Sequence, residues 1–193
     1  MFCYCDFQAY ENRGFYTVSQ ADIIESFYDL RLDVDRLSSA IYAVDFVEHI
    51  AVSGMEQDNV LLLLLKTFQM LSKETYSPLL ISRIFELKML QMAGIMPNMT
   101  EKCSVCGKKA SEYFSVMAGG MVCMEHRGGG RKIAPGTKNA MQFVFLQPLA
   151  NAFQFYVSSE VLKELDKILE EYIQMHMNLR LSTRDFEKRY KQY

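Results

Sequence analysis

Cys103, Cys106, Cys123 and His126 stand in the pattern Cys-x2-Cys-x16-Cys-x2-His, and nothing else in this 193-residue chain restricts its folding as tightly. Two close pairs joined by a short excursion can enclose one tetrahedral Zn²⁺, each pair on a tight knuckle and the segment between them turned back as a hairpin. Glycines stand where the knuckles turn, at Gly107 after the first pair and at Gly119 and Gly120 before the second. A catalytic zinc leaves one position to water, whereas this motif supplies four side chains. A redox Cys-x-x-Cys leaves Cys123 and His126 without a role. The spacing therefore favours structural Zn²⁺ over catalytic zinc, a redox pair or chance. Structural zinc in a small module contributes on the order of 10–16 kcal/mol near neutral pH, so its loss would melt the hairpin.

Half of the chain is apolar, enough for one substantial core. The longest apolar block, Val60 to Leu65, is flanked by Asn59 and Lys66, far short of a membrane span of about 18 residues. A basic region followed by an apolar signal core is absent from the N-terminus. Three cysteines belong to the metal pattern, while Cys3 and Cys5 flank Tyr4 at strand spacing and read as small apolar residues. These features predict a cytoplasmic protein in a reducing compartment, with no membrane partner. The net charge is only −2, but it is unevenly spread. Residues 1–60 hold eleven acids against three bases, whereas residues 101–138 set Lys102, Lys108, Lys109, Arg127, Arg131, Lys132 and Lys138 against Glu101, Glu112 and Glu125. Arg180, Arg184, Lys188, Arg189 and Lys191 extend the basic character into the tail. Such regions can converge on a phosphate-binding face or remain a solvated surface.

Aromatic and β-branched residues at Phe2–Phe7 and Gly14–Val18 predict a hairpin about the polar run Tyr10 to Gly14. Two strands alone make no stable sheet, so this hairpin packs on helices or belongs to a larger β-domain. A helix then begins near Asp33 with Leu37, Ile41, Val44, Val47 and Ala51 as its apolar stripe, ended by Gly54. A second starts at Asp58, read as its N-cap, runs to about Ser72 and, being apolar on most faces, is expected to be the core helix. A third follows Ser77-Pro78 toward Gly94, with Leu80, Ile84, Leu87 and Met92 inward. Beyond the metal motif, Gly128 to Gly130 reads as a mobile joint and Pro135 to Phe145 as a short helix. Ser159 is expected to cap a longer helix to about Met177, with Glu170 and Glu171 on its solvated face, and a last helix spans Ser182 to Tyr190.

Catalytic patterns are scarce. His49 and His176 have no neighbouring nucleophile motif, and Gly128 to Lys132 lacks the order of a phosphate loop. The chain is therefore read as a non-enzyme. The sequence Phe85-Glu-Leu-Lys-Met-Leu, then Gly94-Ile-Met-Pro97, Cys103-Ser-Val-Cys106, Phe114 and Gly119-Gly-Met-Val-Cys123 resembles the bacterial RecO family of recombination mediators. Tyr10 to Val18 is similar to the end of that family's β-barrel, and Leu37 to Val47 to the helix that follows it. His126 stands where many relatives place cysteine, an exchange that zinc accepts.

The resemblance implies a mainly α fold: a helical domain with a zinc-ribbon-like β-hairpin insertion and, at the N-terminus, a remnant hairpin of an OB-fold. Residues 1–30 would be that partial OB-fold, lacking most of the barrel on which bases ordinarily stack, and residues 31–193 the helical domain, with its zinc module at about 100–128. The implied role is that of a DNA-binding mediator of recombinational repair in the bacterial cytoplasm, associated with the nucleoid. It would bind single- and double-stranded DNA, anneal complementary strands and load RecA with RecR, and it would take the tail of single-stranded-DNA-binding protein. Cys103, Cys106, Cys123 and His126 carry over as metal ligands. The DNA contacts rest on the basic cluster of Lys102, Lys108, Lys109, Arg127, Arg131, Lys132 and Lys138. The alternative is a zinc-stabilised protein–protein adaptor without DNA affinity of its own.

Overall fold

A computed structural model describes residues 2–50, 57–110 and 112–189. The protein is mainly helical with two small antiparallel sheets, the fold class its sequence predicts. Strands β1 (Cys3–Asn12) and β2 (Phe15–Ser26) form a hairpin in full register from Cys3–Ser26 to Asn12–Phe15, with irregularities at Tyr4/Cys5 and Gln8/Ala9. Its turn is shorter than the polar run suggests. Arg13 at φ 52° and Gly14 at φ 81° make a two-residue connection of the kind that matches strand twist, and Tyr10 to Asn12 belong to the strand. Almost the whole ribbon is exposed, including Phe15 at 77% and Tyr16 at 76%. It is anchored at its base, where Phe2 and Phe27 each meet the ring of Phe68 edge-on at 5.4 Å.

Four longer helices build the core with two short ones: α1 (Val34–Ile50), α2 (Asp58–Leu71), α3 (Pro78–Met92), α4 (Pro135–Leu146), α5 (Ser159–Met177) and α6 (Ser182–Arg189). The core helix is α3, not the leucine-rich α2. Every residue from Leu80 to Leu90 is buried, because α3 packs against α1, α2, α4 and α5, while Leu61 and Leu62 of α2 face outward. An apolar count cannot distinguish these helices, since α3 includes Arg83, Glu86 and Lys88 among its buried positions. Of the stripe expected on α1, Leu37, Ile41 and Val47 pack against the core, but the fully buried face is Ser38, Ser39, Ala40, Tyr42, Ala43 and Phe46, and Val44 is 39% exposed. Ala51 and Gly54 lie outside the described residues. Gln57, not Asp58, stands at the N-cap of α2, and Ser158, not Ser159, caps α5, its hydroxyl accepting from the Val161 amide at 3.4 Å. Met92 at the end of α3 is exposed.

The buried charges of α3 are matched by three other helices. Arg83 Nε lies 3.3 Å from Glu86 Oε2, and the Arg83 guanidinium pairs with Asp166 of α5. Arg184 of α6 enters the same cluster, pairing with Glu86 and, at 3.0 Å, with Asp166; Tyr42 of α1 donates its hydroxyl to Glu86. The sequence reading placed Arg184 in a basic tail, but at 6% exposure it is an internal counterion. Lys88 donates to the Gln147 carbonyl at 2.8 Å and Gln91 to that of Phe145 at 3.0 Å, satisfying carbonyls that the end of α4 leaves open. Burial lowers the Lys88 pKa. Removing one member of a buried ion cluster strands the others, at a cost of about 3–5 kcal/mol. Glu86→Ala should lose stability of that size in urea unfolding; a loss below about 1 kcal/mol would show that the cluster does not hold the helices together.

Candidate metal centre

Between α3 and α4 the chain forms a three-stranded sheet in the order β4-β3-β5, from β3 (Tyr113–Ser115), β4 (Gly120–Val122) and β5 (Arg131–Lys132). The first knuckle is closed by backbone bonds: the Gly107 amide donates to Cys103 O at 2.9 Å and the Cys103 amide to Lys108 O at 2.7 Å. Gly107 at φ +71° supplies the left-handed turn that this requires. The second knuckle is a short 3-10 turn, Met124–His126, opened by Cys123. Gly120 permits a close crossing, since a Cβ there would stand 2.4 Å from the Asn98 carbonyl oxygen. The Gly128 to Gly130 segment is a turn closed by Gly130 N–H to Arg127 O at 2.8 Å, which delivers Arg131 and Lys132 to the sheet edge.

These turns bring one ligand atom each of Cys103, Cys106, Cys123 and His126 within 4.8 Å of one another. Cys106 Sγ and Cys123 Sγ are 3.8 Å apart, and His126 Nδ1 lies 3.3 Å from Cys123 Sγ and 3.8 Å from Cys103 Sγ. A tetrahedral ion with metal–sulfur bonds of about 2.3 Å and metal–nitrogen bonds of about 2.0 Å needs edges of roughly 3.8 and 3.5 Å. The group therefore fits such a cation without rearrangement, and it is no disulfide, for every described cysteine is free. Burial opposes the Cys103 thiolate, but amides of Cys123, Cys106 and Val105 and the Cys106 side chain overcome it and bring the pKa down to about 6. At Cys106 the Lys108 amide favours the thiolate, yet desolvation and the neighbouring sulfurs prevail and raise the pKa. Crowded sulfurs compete for protons, and a divalent cation relieves that competition.

Helix α5 positions the ribbon. Phe114 packs toward Tyr172, Tyr172 donates to Ile95 O at 3.0 Å, and His176 Nε2, opposite the Val116 carbonyl at 2.7 Å, must carry its proton there. His176 is thus a packing residue stacked on Tyr172, whose pKa burial pushes up to about 12. His49 sits beside Asp45 on exposed α1 surface. Glu171 pairs with Arg131, and Glu164 accepts from the Ala134 amide at 3.0 Å and from Thr137. The acidic face of α5 therefore docks the ribbon, so Glu171 is not merely solvated.

The basic residues separate into two sets. Arg131 is committed to Glu171 and Lys108 to Glu125 at 3.1 Å across the two knuckles. Lys102 is exposed on the approach to the first knuckle. Lys109, Arg127, Lys132 and Lys138 instead gather round the outer face of β3. Lys132 and Lys138 share a shallow recess of about 430 Å³ with Glu101 and Glu112, and Lys109 borders an adjoining recess of about 370 Å³ with Glu112 and Tyr113. Lys132 lies 2.9 Å from Glu112, which raises its pKa and keeps it charged. Tyr113 was missed from sequence. It is half-buried between Arg127 and Lys132, and only strand alternation beside Phe114 could have marked it as outward-facing.

A helical protein carrying a Cys3His metal-type ribbon is the class that this fold and site define. Residues 31–185 match the family described as Recombination protein O C terminal. A DNA repair protein RecO of Acetivibrio thermocellus is 34% identical over 193 residues, covering 97% of this chain and 76% of that relative. Those of Alkaliphilus metalliredigens and Desulforamulus reducens are 32% and 29% identical, covering 92% and 97% of this chain and 74% and 75% of theirs. The chain belongs to the RecO family of DNA repair proteins. Among the described residues no helix is long and apolar enough to cross a membrane. If a metal holds the ribbon, chelation should abolish amide-exchange protection in β3 and β4 while leaving α3 protected; unchanged protection in both would count against a metal-dependent fold.

Proposed function

We propose that this protein is a non-enzymatic, DNA-binding recombination mediator that anneals complementary single strands and loads RecA together with RecR in recombinational repair. Structural Zn²⁺, held by Cys103, Cys106, Cys123 and His126, shapes the ribbon that presents the DNA-binding cations. Family membership supports the role, and the single observation that carries the site is the gathering of Lys109, Arg127, Lys132 and Lys138 on one exposed face. Residues 1–30 are read as part of an OB-fold and residues 31–193 as a helical domain with its zinc module at about 100–128. The tail of single-stranded-DNA-binding protein and RecR are further partners, and the setting is the bacterial cytoplasm at the nucleoid.

Annealing needs two polyanions to meet, and their repulsion falls when cations take the place of condensed counterions. No bond is made or broken in either strand, so the protein requires neither nucleophile nor nucleotide. Each phosphate contact with single-stranded DNA contributes about 0.7 to the slope of log affinity against log salt. A second reading, a protein–protein adaptor, is favoured by the exposed Phe7, Phe15, Tyr16, Ile23 and Ile24 of the N-terminal ribbon. The two part on salt. Replacing Lys109, Arg127, Lys132 and Lys138 with Gln should slow strand annealing and flatten the salt slope by up to about 3. Unchanged annealing and slope would remove this face from the mechanism, and a wild-type chain that binds no DNA would leave the adaptor.

A further inference from the structure

Tyr113 stands at the centre of the cationic face. In β3 it alternates with Phe114, whose ring turns inward toward Tyr172, so Tyr113 projects from the opposite side. Lys132 is its direct partner on β5, and the Lys132 ammonium lies 5.6 Å from the ring centroid. The Arg127 guanidinium lies 5.6 Å from the same centroid and donates to the Tyr113 hydroxyl at 3.3 Å. Val122, its partner on β4, is fully buried beside it, with Lys109 and Met124 at the edge of the same recess. A half-buried aromatic ring flanked by two exposed cations combines the elements that single-stranded nucleic acids use: a flat apolar surface for a base and positive charge for its phosphates.

We infer that Tyr113 is a stacking platform for one unpaired base of single-stranded DNA, with Arg127 and Lys132 turning from the ring to the adjoining phosphates. This inference rests on the DNA-binding reading above and assigns it a residue that selects single strands. A cation over a half-buried surface ring is held weakly, and a stacked base gains more, so the exchange favours the bound state. Glu112, paired with Lys132, opposes it, and the phosphate takes over that pairing. Duplex DNA keeps its bases stacked inside and meets only the cations. Every base has a π-face, so the platform is indifferent to sequence, as strand annealing requires.

The test titrates the whole chain against labelled oligothymidylate and against a duplex of equal length at one salt concentration. Tyr113→Ala should weaken single-strand binding by about five- to a hundredfold, the range for losing one stacked base, and duplex binding less than twofold. Tyr113→Phe should retain both. The chain contains no tryptophan, so Tyr113→Trp installs a unique fluorophore, and its emission should be quenched by oligothymidylate but not by duplex. Equal losses on both DNA forms with Tyr113→Ala, or an unquenched Tyr113→Trp that nevertheless binds oligothymidylate, would overturn the platform while leaving DNA binding intact. If Tyr113→Ala does not fold, as judged by its thermal melt, the quenching result decides alone. A wild-type chain that binds neither DNA form would overturn the platform and the function it rests on together.

Discussion

Helix α3 carries Arg83, Glu86 and Lys88 into positions with no solvent face, and an unpaired charge there would cost more than any single apolar contact returns. Each of its charges is answered from a different part of the chain: Tyr42 on α1, Asp166 on α5, Arg184 on α6 and the closing carbonyls of α4. Rotation of α3 by one residue, about 100°, would carry Glu86 away from Arg184 and Lys88 away from Gln147 at once. Apolar packing alone tolerates such slips, because leucines substitute for one another. The charges therefore set the angular position of α3, and the other helices take their places from it. Among its described side chains, α6, a short and very polar helix, is held by the buried Arg184 and by Thr183, whose hydroxyl donates to Asp45 of α1.

The same frame aims the ribbon. Helix α5 lends its apolar side to the core through Leu165, Ile168, Leu169 and Ile173, while Glu164, Glu171, Tyr172 and His176 engage the ribbon and its edges. The ribbon strands are only two or three residues long, too short to be stable without help. Two supports are at hand: the clustered Cys103, Cys106, Cys123 and His126, able to hold a metal, at one end, and docking of Phe114 and Val116 at the other. Alternation along β3 then forces a division of labour. The inward residue, Phe114, is committed to docking, which leaves Tyr113 on the opposite side with Arg127 and the Glu112-paired Lys132 beside it.

Ligand spacing made the metal-type group legible before any coordinates, since two knuckles and an excursion have few ways to fold, and the structure brings those four side chains together. Helix existence was equally legible from periodicity and from Pro78, Pro135 and Gly94. What failed was ranking. The leucines of α2 suggested a central helix, whereas α3 with its three charges is central, because pairing with distant partners is invisible in a local window. The stripe on α1 was legible in part: Leu37, Ile41 and Val47 pack against the core, but Ser39 is buried by small-residue packing while Val44 is left outside. Cap positions at Gln57 and Ser158 fell one residue from the expected ones, within the fraying of helix ends. Among the basic residues, composition could not separate Arg131 and Arg184, bound within the fold, from Lys109, Arg127, Lys132 and Lys138, which face water. Tyr113 carried no signal of its own until β5 brought Lys132 beside it.

A net charge of −2 would seem a poor qualification for meeting a polyanion. At physiological ionic strength, however, the screening length is about 8 Å, so a phosphate responds to the charges nearest it and scarcely to the rest of the molecule. Of the acids in residues 1–60, Asp6, Glu11, Asp22 and Glu25 lie on the N-terminal ribbon, Asp35, Asp45 and Glu48 on α1 and Asp58 at the start of α2. Their effect is on orientation. On the proposed DNA-binding reading, acids repel a phosphate at short range and the ribbon's cations attract it, so encounters are sorted without a large overall field. Cations supplied locally also make release easy, because each contact is exposed and readily exchanged with salt. Under the proposed annealing role the strands must be left once they have paired, and a shallow face with one aromatic ring suits that better than a deep basic channel.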